Sequence, residues 1–141
     1  MNVPHLRSCH DTVGGLVYFG RMLDKIRLHA QGKLPPDYTG NLGAGFDGRC
    51  CNFLHIKYED LVARVKLGGA DEEILQWCFE QGRKPTDEEI ETWSDFLRKR
   101  GWRDSASERL AQRLKEYGIS HRADIQTFFD LIDVDEGHPP R

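Results

Sequence analysis

The chain has 141 residues, of which 38% are hydrophobic and 30% charged, a composition that excludes a disordered chain and is typical of a soluble globular protein. Its length corresponds to one domain over residues 1–141, with a core large enough to need no metal or disulfide for stability. Lys and Arg number 20 and Asp and Glu 23, and the formal net charge of −3 gives no electrostatic support for binding to nucleic acid or a membrane surface.

The first predicted element is an amphipathic helix over residues 13–30, which ends before Gly32 and the prolines at 35–36. Its apolar positions recur at helical spacing, namely Leu16, Phe19, Met22, Leu23, Ile26 and Ala30. Residues 33–46 follow, rich in Gly and Pro and without periodicity. A loop this long inside a compact domain is uncommon and is usually functional or disordered. Its apolar residues indicate that it packs back onto the helices, and they are Leu34, Tyr38, Leu42 and Phe46.

Further helices are predicted from apolar spacing, with glycines or prolines between them. They lie at about 47–54, 58–67, 74–79, 86–100, 105–117 and 122–132. Asp47 is predicted to cap the first of these, and two capping boxes, at Thr86 and Ser105, begin the fourth and fifth. No run of alternating β-branched residues predicts a strand in place of these helices. We therefore expect an all-α fold, a single compact bundle of six to seven helices with one long Gly/Pro-rich loop and flexible ends at 1–11 and 134–141.

The cysteine pattern indicates a reduced, cytoplasmic protein. Cys50 and Cys51 are adjacent, which is not the spread arrangement of a disulfide-stapled domain, and the first residues lack the apolar core of a signal peptide. No apolar stretch has the length of a membrane-spanning helix, so no membrane association is expected.

Residues 43–48 match the pattern G-x-G-x-x-G, which binds dinucleotides when a strand precedes it and a βαβ unit follows. Neither is predicted here, so we exclude that function. Glycine-rich backbone that leads into a helix, with Arg49 in the first turn, is suited to an anion. The alternative is that these glycines only permit tight turns.

The polar face of the first helix is the best candidate site. Charged residues there alternate with apolar side chains, which indicates that another part of the chain covers this face. Covered charges must be paired, either in a structural ion-pair network or on the floor of a pocket for a phosphate or carboxylate metabolite. In the second case Arg21, Lys25 and Arg49 would bind the anion. Asp24 would orient the cations, and Tyr18 or His29 would donate a hydrogen bond.

Other chemistry has weaker support. The spacing of His5, Cys9 and His10 matches no metal-binding motif, so no metal or cofactor is expected. A helix N-terminus and a nearby arginine would lower the pKa of Cys50 and Cys51, so nucleophilic chemistry is an alternative. A small cytoplasmic enzyme of unassigned reaction would then use Asp24, Lys25, His29 and Cys50.

Charge is sorted along the chain: residues 71–91 carry eight acids and two bases, while residues 98–122 carry eight bases and three acids. Trp102 lies within the basic segment. A basic segment with an aromatic residue can contact nucleic acid, but the acidic flanks disfavour that interpretation here. The sorted faces instead suggest an alternative function, a protein-interaction module that binds a protein partner or forms a homodimer.

Several segments together resemble a small bacterial family known as a domain of unknown function. They are residues 21–25, 32–35 with Tyr38, 41–42, 46–47 with Arg49, 71–75 with Trp77, and 101–104. The resemblance covers most of the chain and implies a stand-alone cytoplasmic protein of bacterial origin. It implies no catalytic role for any residue, so the sequence predicts a protein of unknown function, with small-anion binding as its best-supported activity.

Overall fold

The computed structural model describes residues 1–139, and within them the chain forms seven α-helices, one 3-10 helix and a two-stranded antiparallel ribbon. The all-α prediction is therefore confirmed. The elements are β1 (Thr12–Val13), β2 (Leu16–Val17), α1 (Phe19–Ala30), the 3-10 helix (Pro36–Asn41), α2 (Phe46–Leu54), α3 (Tyr58–Lys66), α4 (Asp71–Gln81), α5 (Asp87–Lys99), α6 (Ser107–Glu116) and α7 (Phe128–Glu136). None of these helices is long and apolar enough to cross a membrane.

The first helix begins later than its apolar period predicts. Residues 12–17 form the ribbon instead, with Val13 paired to Leu16 across Gly14 and Gly15. Both glycines have positive φ, of 57° and 83°, which is the backbone that a tight two-residue hairpin requires. Leu16 is fully buried in the ribbon. An apolar residue at this position fits a buried strand as well as the predicted helix.

The two last helices also differ from the prediction. The Ser105 capping box does not form, because α6 begins at Ser107 and Asp104 accepts the backbone N–H groups of Gly101 and Ala106, each at 2.9 Å. The seventh helix is shifted along the chain from the predicted 122–132 to Phe128–Glu136. Its true start is a capping box in which Thr127 accepts from the N–H of Asp130.

The main hydrophobic core surrounds α1 and draws on nearly every helix. Its largest fully buried side chains include Phe19, Met22, Leu23, Leu54, Leu61, Ile74, Leu97 and Phe129. A separate small cluster contains Val3, Leu6, Leu28 and Leu34, with Tyr38 and Leu42 packed against it. A third joins α6 to α7 through Leu110, Ile125 and Leu131.

Residues 33–46, which we call the connector, pack back onto α1 as their apolar residues predict, and six of them form the 3-10 helix. Both segments predicted as flexible ends contribute buried side chains. Val3, Leu6, Ser8 and Cys9 are buried at one end, and Glu136 at the other lies inside α7 and is 3% exposed. Pro140 and Arg141, also in that prediction, lie outside the described residues.

Candidate functional site

The charged face of α1 is covered by other parts of the chain, as the sequence predicts. Arg21, Asp24 and Lys25 are 4%, 8% and 4% exposed, and Tyr18 just before the helix is equally buried. A charge transferred out of water costs several kcal/mol unless it is paired. Each of these three charged side chains meets that requirement with a different partner, so they form three separate clusters along one helix.

The first cluster holds Arg21 against Glu136 in the last turn of α7. Arg21 donates from Nη1 to Oε1 at 2.6 Å and from Nη2 to Oε2 at 2.7 Å, the two-pronged geometry that a guanidinium and a carboxylate favour. The Tyr38 hydroxyl, from the connector, donates to Oε2 at 2.7 Å. Burial raises the pKa of Glu136, but the hydrogen bonds and charge of Arg21 outweigh it and the net pKa lies below its usual range.

The second cluster joins α1 to α2 through Lys25, Tyr18 and Asp47. Lys25 Nζ lies 2.9 Å from Asp47 Oδ1 and 3.0 Å from the Tyr18 oxygen, and the Tyr18 hydroxyl donates to the same Oδ1 at 2.6 Å. Asp47 is fully buried and does not cap α2, whose N-cap is Gly45. It accepts instead from the N–H of Gly43 in the connector. Burial and the Asp47 charge raise the pKa of Tyr18, which therefore stays protonated.

The third cluster is an alternating set of two arginines and two aspartates. Arg7 donates to both carboxylate oxygens of Asp24 and, at 2.7 Å, to Asp71 at the start of α4. Arg27 lies 2.9 Å from Asp71 and 3.6 Å from Asp24. Asp24 therefore pairs with Arg7 and Arg27, and not with Arg21 or Lys25 as the anion-pocket hypothesis expects.

The remaining two predicted ligand-binding residues lie elsewhere on the protein. His29 and Arg49 are both exposed, and the Arg49 guanidinium lies over the ring of Phe96, 5.5 Å from its centroid. The structure thus brings four of the six predicted residues into the interior and leaves two at the surface. Their role in ligand binding stays a prediction.

Sequence reasoning missed the partners of the buried cations. Arg7, Asp71 and Glu136 were not singled out, and Asp47 was interpreted as a helix cap. Arg7 and Asp24 are 17 residues apart in the chain, and Arg21 and Glu136 are 115 residues apart. Only the requirement that buried charges be paired indicated that such partners exist.

A second candidate site lies on the surface where α5 ends, and we call it the α5-end surface. Phe96 is 45% exposed and Trp102 46% exposed. The guanidinium of Arg100 lies over Phe96 at 5.7 Å, next to that of Arg49, and the guanidinium of Arg103 lies over Trp102 at 5.1 Å. The surface consists of Arg49, Phe96, Arg100, Trp102 and Arg103.

The arginines of this surface differ in how they are paired. Arg100 lies 3.4 Å from Asp104. Within residues 1–139, no carboxylate lies at ion-pair distance from Arg49 or Arg103. Arg103 also has a φ of 49°, a left-handed conformation that costs energy for any residue but glycine. The α5-end surface therefore combines two exposed aromatic rings, two uncompensated cations and a strained turn.

Two open grooves of about 490 and 570 Å³ lie beside α3 and α4 and share Arg64 and Trp77. Their walls mix acids and bases, including Lys57, Asp60 and Glu73. None of the six residues of the predicted anion site lines either groove. These grooves therefore do not provide the pocket that the sequence predicts on α1.

The four cysteines are free and buried. Burial raises the pKa of Cys9, Cys51 and Cys78 to about 12 each, and it also raises the pKa of Cys50 well above its usual value. The expectation that the helix N-terminus and Arg49 lower the pKa of Cys50 and Cys51 is wrong, because desolvation of the thiolate dominates. In residues 1–139 no group of three or more His, Cys, Asp or Glu side chains is arranged to hold a metal ion.

Comparison with known proteins assigns no activity. A family model described as a domain of unknown function (DUF5069) matches residues 3–138. No curated protein matches the chain.

Proposed function

We propose that this chain, which belongs to the family described as a domain of unknown function (DUF5069), is a binding module that takes up an acidic segment of a partner protein on its α5-end surface. The observation that supports this function is the pair of exposed aromatic rings, each in contact with arginine, where two arginines have no carboxylate partner among the described residues.

The exposed rings favour a protein as the partner. Phe96 and Trp102 each leave nearly half of their surface in water, although burying a large aromatic side chain is favourable by a few kcal/mol. Aromatic residues and arginine are enriched at the centres of protein interfaces, where they contribute most of the binding free energy. A partner that covers these two rings would recover that energy.

The arginines favour an acidic partner. A guanidinium that lies over an aromatic ring can still donate its N–H groups to a carboxylate, and the ring limits the conformations it must give up on binding. The guanidinium carbons of Arg49 and Arg103 lie 5.5 and 5.1 Å from the ring centroids of Phe96 and Trp102. The chain as a whole carries a net charge of −3, so a long polyanion such as nucleic acid would be repelled by surfaces beyond this small cationic one.

A small-anion site on α1 has less geometric support as an open pocket. Arg21 and Lys25 are each already paired with a carboxylate of this chain, Glu136 and Asp47. An anion at either position would have to replace that carboxylate. Similarly, the hypothetical enzyme site is divided between buried Asp24, Lys25 and Cys50 and exposed His29.

The test measures fluorescence anisotropy of a labelled Glu-rich peptide that contains Leu, with its Gln-substituted analogue as the uncharged control. We expect the Glu-rich peptide to bind and its affinity to fall as salt is added. The double variant R49E/R103E and the single variant W102A should each weaken binding by about tenfold or more. The double variant R109E/R113E, which makes the same charge change on exposed α6 positions, should bind as the parent does.

Three results would contradict the proposal. The first is equal binding of the Glu-rich peptide and its Gln analogue. The second is an equal loss of peptide affinity in R109E/R113E and R49E/R103E, which would show that binding responds only to the net charge of the protein. The third is tighter binding of a single-stranded oligonucleotide than of the peptide, which would assign the surface to nucleic acid.

A further inference from the structure

We propose that Arg21, Tyr38 and His138 form a binding site for a small carboxylate, and that Glu136 occupies this site as an internal ligand that an external carboxylate displaces. This inference goes beyond the α5-end surface and does not depend on it.

The contacts of Glu136 are those of a carboxylate in a binding site. Arg21 holds both oxygens with parallel hydrogen bonds, Tyr38 donates to Oε2, and His138 Nε2 lies 3.2 Å from Oε1. The three side chains come from three segments, namely α1, the 3-10 helix of the connector and the residue pair after α7. A planar guanidinium with two further polar groups selects the shape of a carboxylate as well as its charge.

The position of Glu136 in α7 is electrostatically unfavourable for the helix. Glu136 is the last residue of α7, where the helix dipole disfavours a negative charge, and the last turn of α7 contains no basic residue. The contact with Arg21 therefore opposes the preference of the helix end. A carboxylate that is free of the helix would make the same hydrogen bonds without that cost.

The last turn of α7 can release Glu136 without disturbing the main core. Gly137 follows at once with a φ of 75° and has open space around it. Within residues 134–137, Val134, Asp135 and Gly137 are exposed, and Glu136 is the buried side chain. Helix ends fray because their last carbonyl groups have no partner within the helix.

The connector offers the entry to the site. Tyr38 is half-buried, and the apolar residues of the connector around it pack in the small cluster with Val3 and Leu6, separate from the main core. Arg21 is 4% exposed and also donates to the backbone oxygen of Arg7, so the space that Glu136 vacates is enclosed. The ligand is therefore a short aliphatic carboxylate, close in size to the glutamate side chain.

The experiment uses the E136A variant of the full chain and acetate as the probe, because acetate replaces the atoms that this substitution removes. We expect acetate to raise the Tm of E136A by about 3 °C or more relative to chloride at the same ionic strength. The rise should disappear in R21M/E136A. If E136A is unfolded without acetate, its recovery of helical circular dichroism on adding acetate is the equivalent supporting result.

The matched control is D24A, which removes another buried carboxylate that an arginine holds at both oxygens. Equal stabilisation of D24A and E136A by acetate would overturn the proposal, as would no effect of acetate on E136A in either its Tm or its recovery. In the parent chain, acetate should speed amide hydrogen exchange at residues 134–137. Unchanged exchange there would show that Glu136 is a fixed structural partner and not a displaceable ligand.

Discussion

The ammonium group of Lys25 lies 2.9 Å from a carboxylate oxygen of Asp47, and both side chains are at most 5% exposed. Tyr18 bridges the two groups, and the backbone of the connector binds the other oxygen of Asp47 through Gly43. One buried ion pair thus fixes α1, the connector and the start of α2 relative to one another.

Removal of the Lys25 charge should destabilise the protein strongly. In K25M the Asp47 carboxylate stays buried without its counter-charge, and breaking such a pair costs about 3–5 kcal/mol. Urea denaturation monitored by circular dichroism measures the loss. The control R122A breaks the exposed Arg122–Asp124 pair, whose atoms lie 2.7 Å apart, and should leave the urea midpoint unchanged. Equal midpoints for K25M and the parent would show that the pair adds nothing to stability.

Gly82 should tolerate no side chain. A Cβ at this position would lie 1.9 Å from the backbone oxygen of Leu54, because the end of α4 passes directly against the end of α2. We expect G82A to cost about 3 kcal/mol or more, since backbone must move to relieve the overlap. The control is G40A, where nothing lies within 4 Å of the added carbon. A Tm for G82A equal to that of G40A would contradict the close approach.

The two capping boxes in the sequence should respond differently to mutation. Thr86 accepts a hydrogen bond from the N–H of Glu89, so T86A should lower the free energy of unfolding by about 1 kcal/mol. Ser105 is exposed and caps no helix, so S105A should change the free energy of unfolding little. Urea denaturation of T86A and S105A, measured side by side, tests this difference. A larger loss in S105A would mean that α6 begins earlier than Ser107.

The native thiols should be unreactive. All four cysteines are buried, and burial raises the pKa of Cys9, Cys51 and Cys78 to about 12, so very little thiolate is present near neutral pH. We expect reaction with Ellman's reagent to be at least about a hundredfold slower in the native protein than in urea. A single thiol that reacts as fast in both conditions would reveal an accessible nucleophile.

Acid should remove the contribution of Glu136 to stability. Its pKa is lowered in the folded protein, so its contribution is fully present above the usual value near 4.5 and is lost as the pH falls through the lower folded value. E136Q cannot titrate at this position. The difference in unfolding free energy between parent and E136Q, measured in urea from about pH 7 to about pH 3, should therefore shrink as the pH falls. A constant difference would contradict the lowered pKa.

The periodicity of apolar residues predicted most of the helices, because each helix buries one apolar face against the rest of the protein. It misplaced the first start, where Leu16 suits a strand as well as a helix and the paired glycines decide between them. It also misplaced α7, where Thr127 was not recognised as a cap. Local pattern is weakest at such boundaries, where turn geometry competes with period.

The candidate site on α1 was predicted only in part, for a different physical reason. A helix face that mixes Arg21, Asp24 and Lys25 with apolar residues shows that it is covered, and the structure confirms this cover. Which carboxylate meets which cation depends on contacts between distant segments, and no local pattern contains them. Glu136 was interpreted as part of a frayed end because the last residues of the chain are acidic and include the prolines at 139–140.

The cluster of Val3, Leu6, Leu28 and Leu34 is separate from the main core and much smaller, so fewer buried apolar contacts stabilise this part of the protein. Two segments, the residues before the ribbon and the connector, cover one side of α1. Few apolar contacts join them to this helix, together with ion pairs such as Arg7–Asp24. Because few buried side chains hold these two segments, we expect their backbone amides to exchange with solvent sooner than those of the main core. Such local opening would expose the buried cations of α1 to water while the main core stays folded.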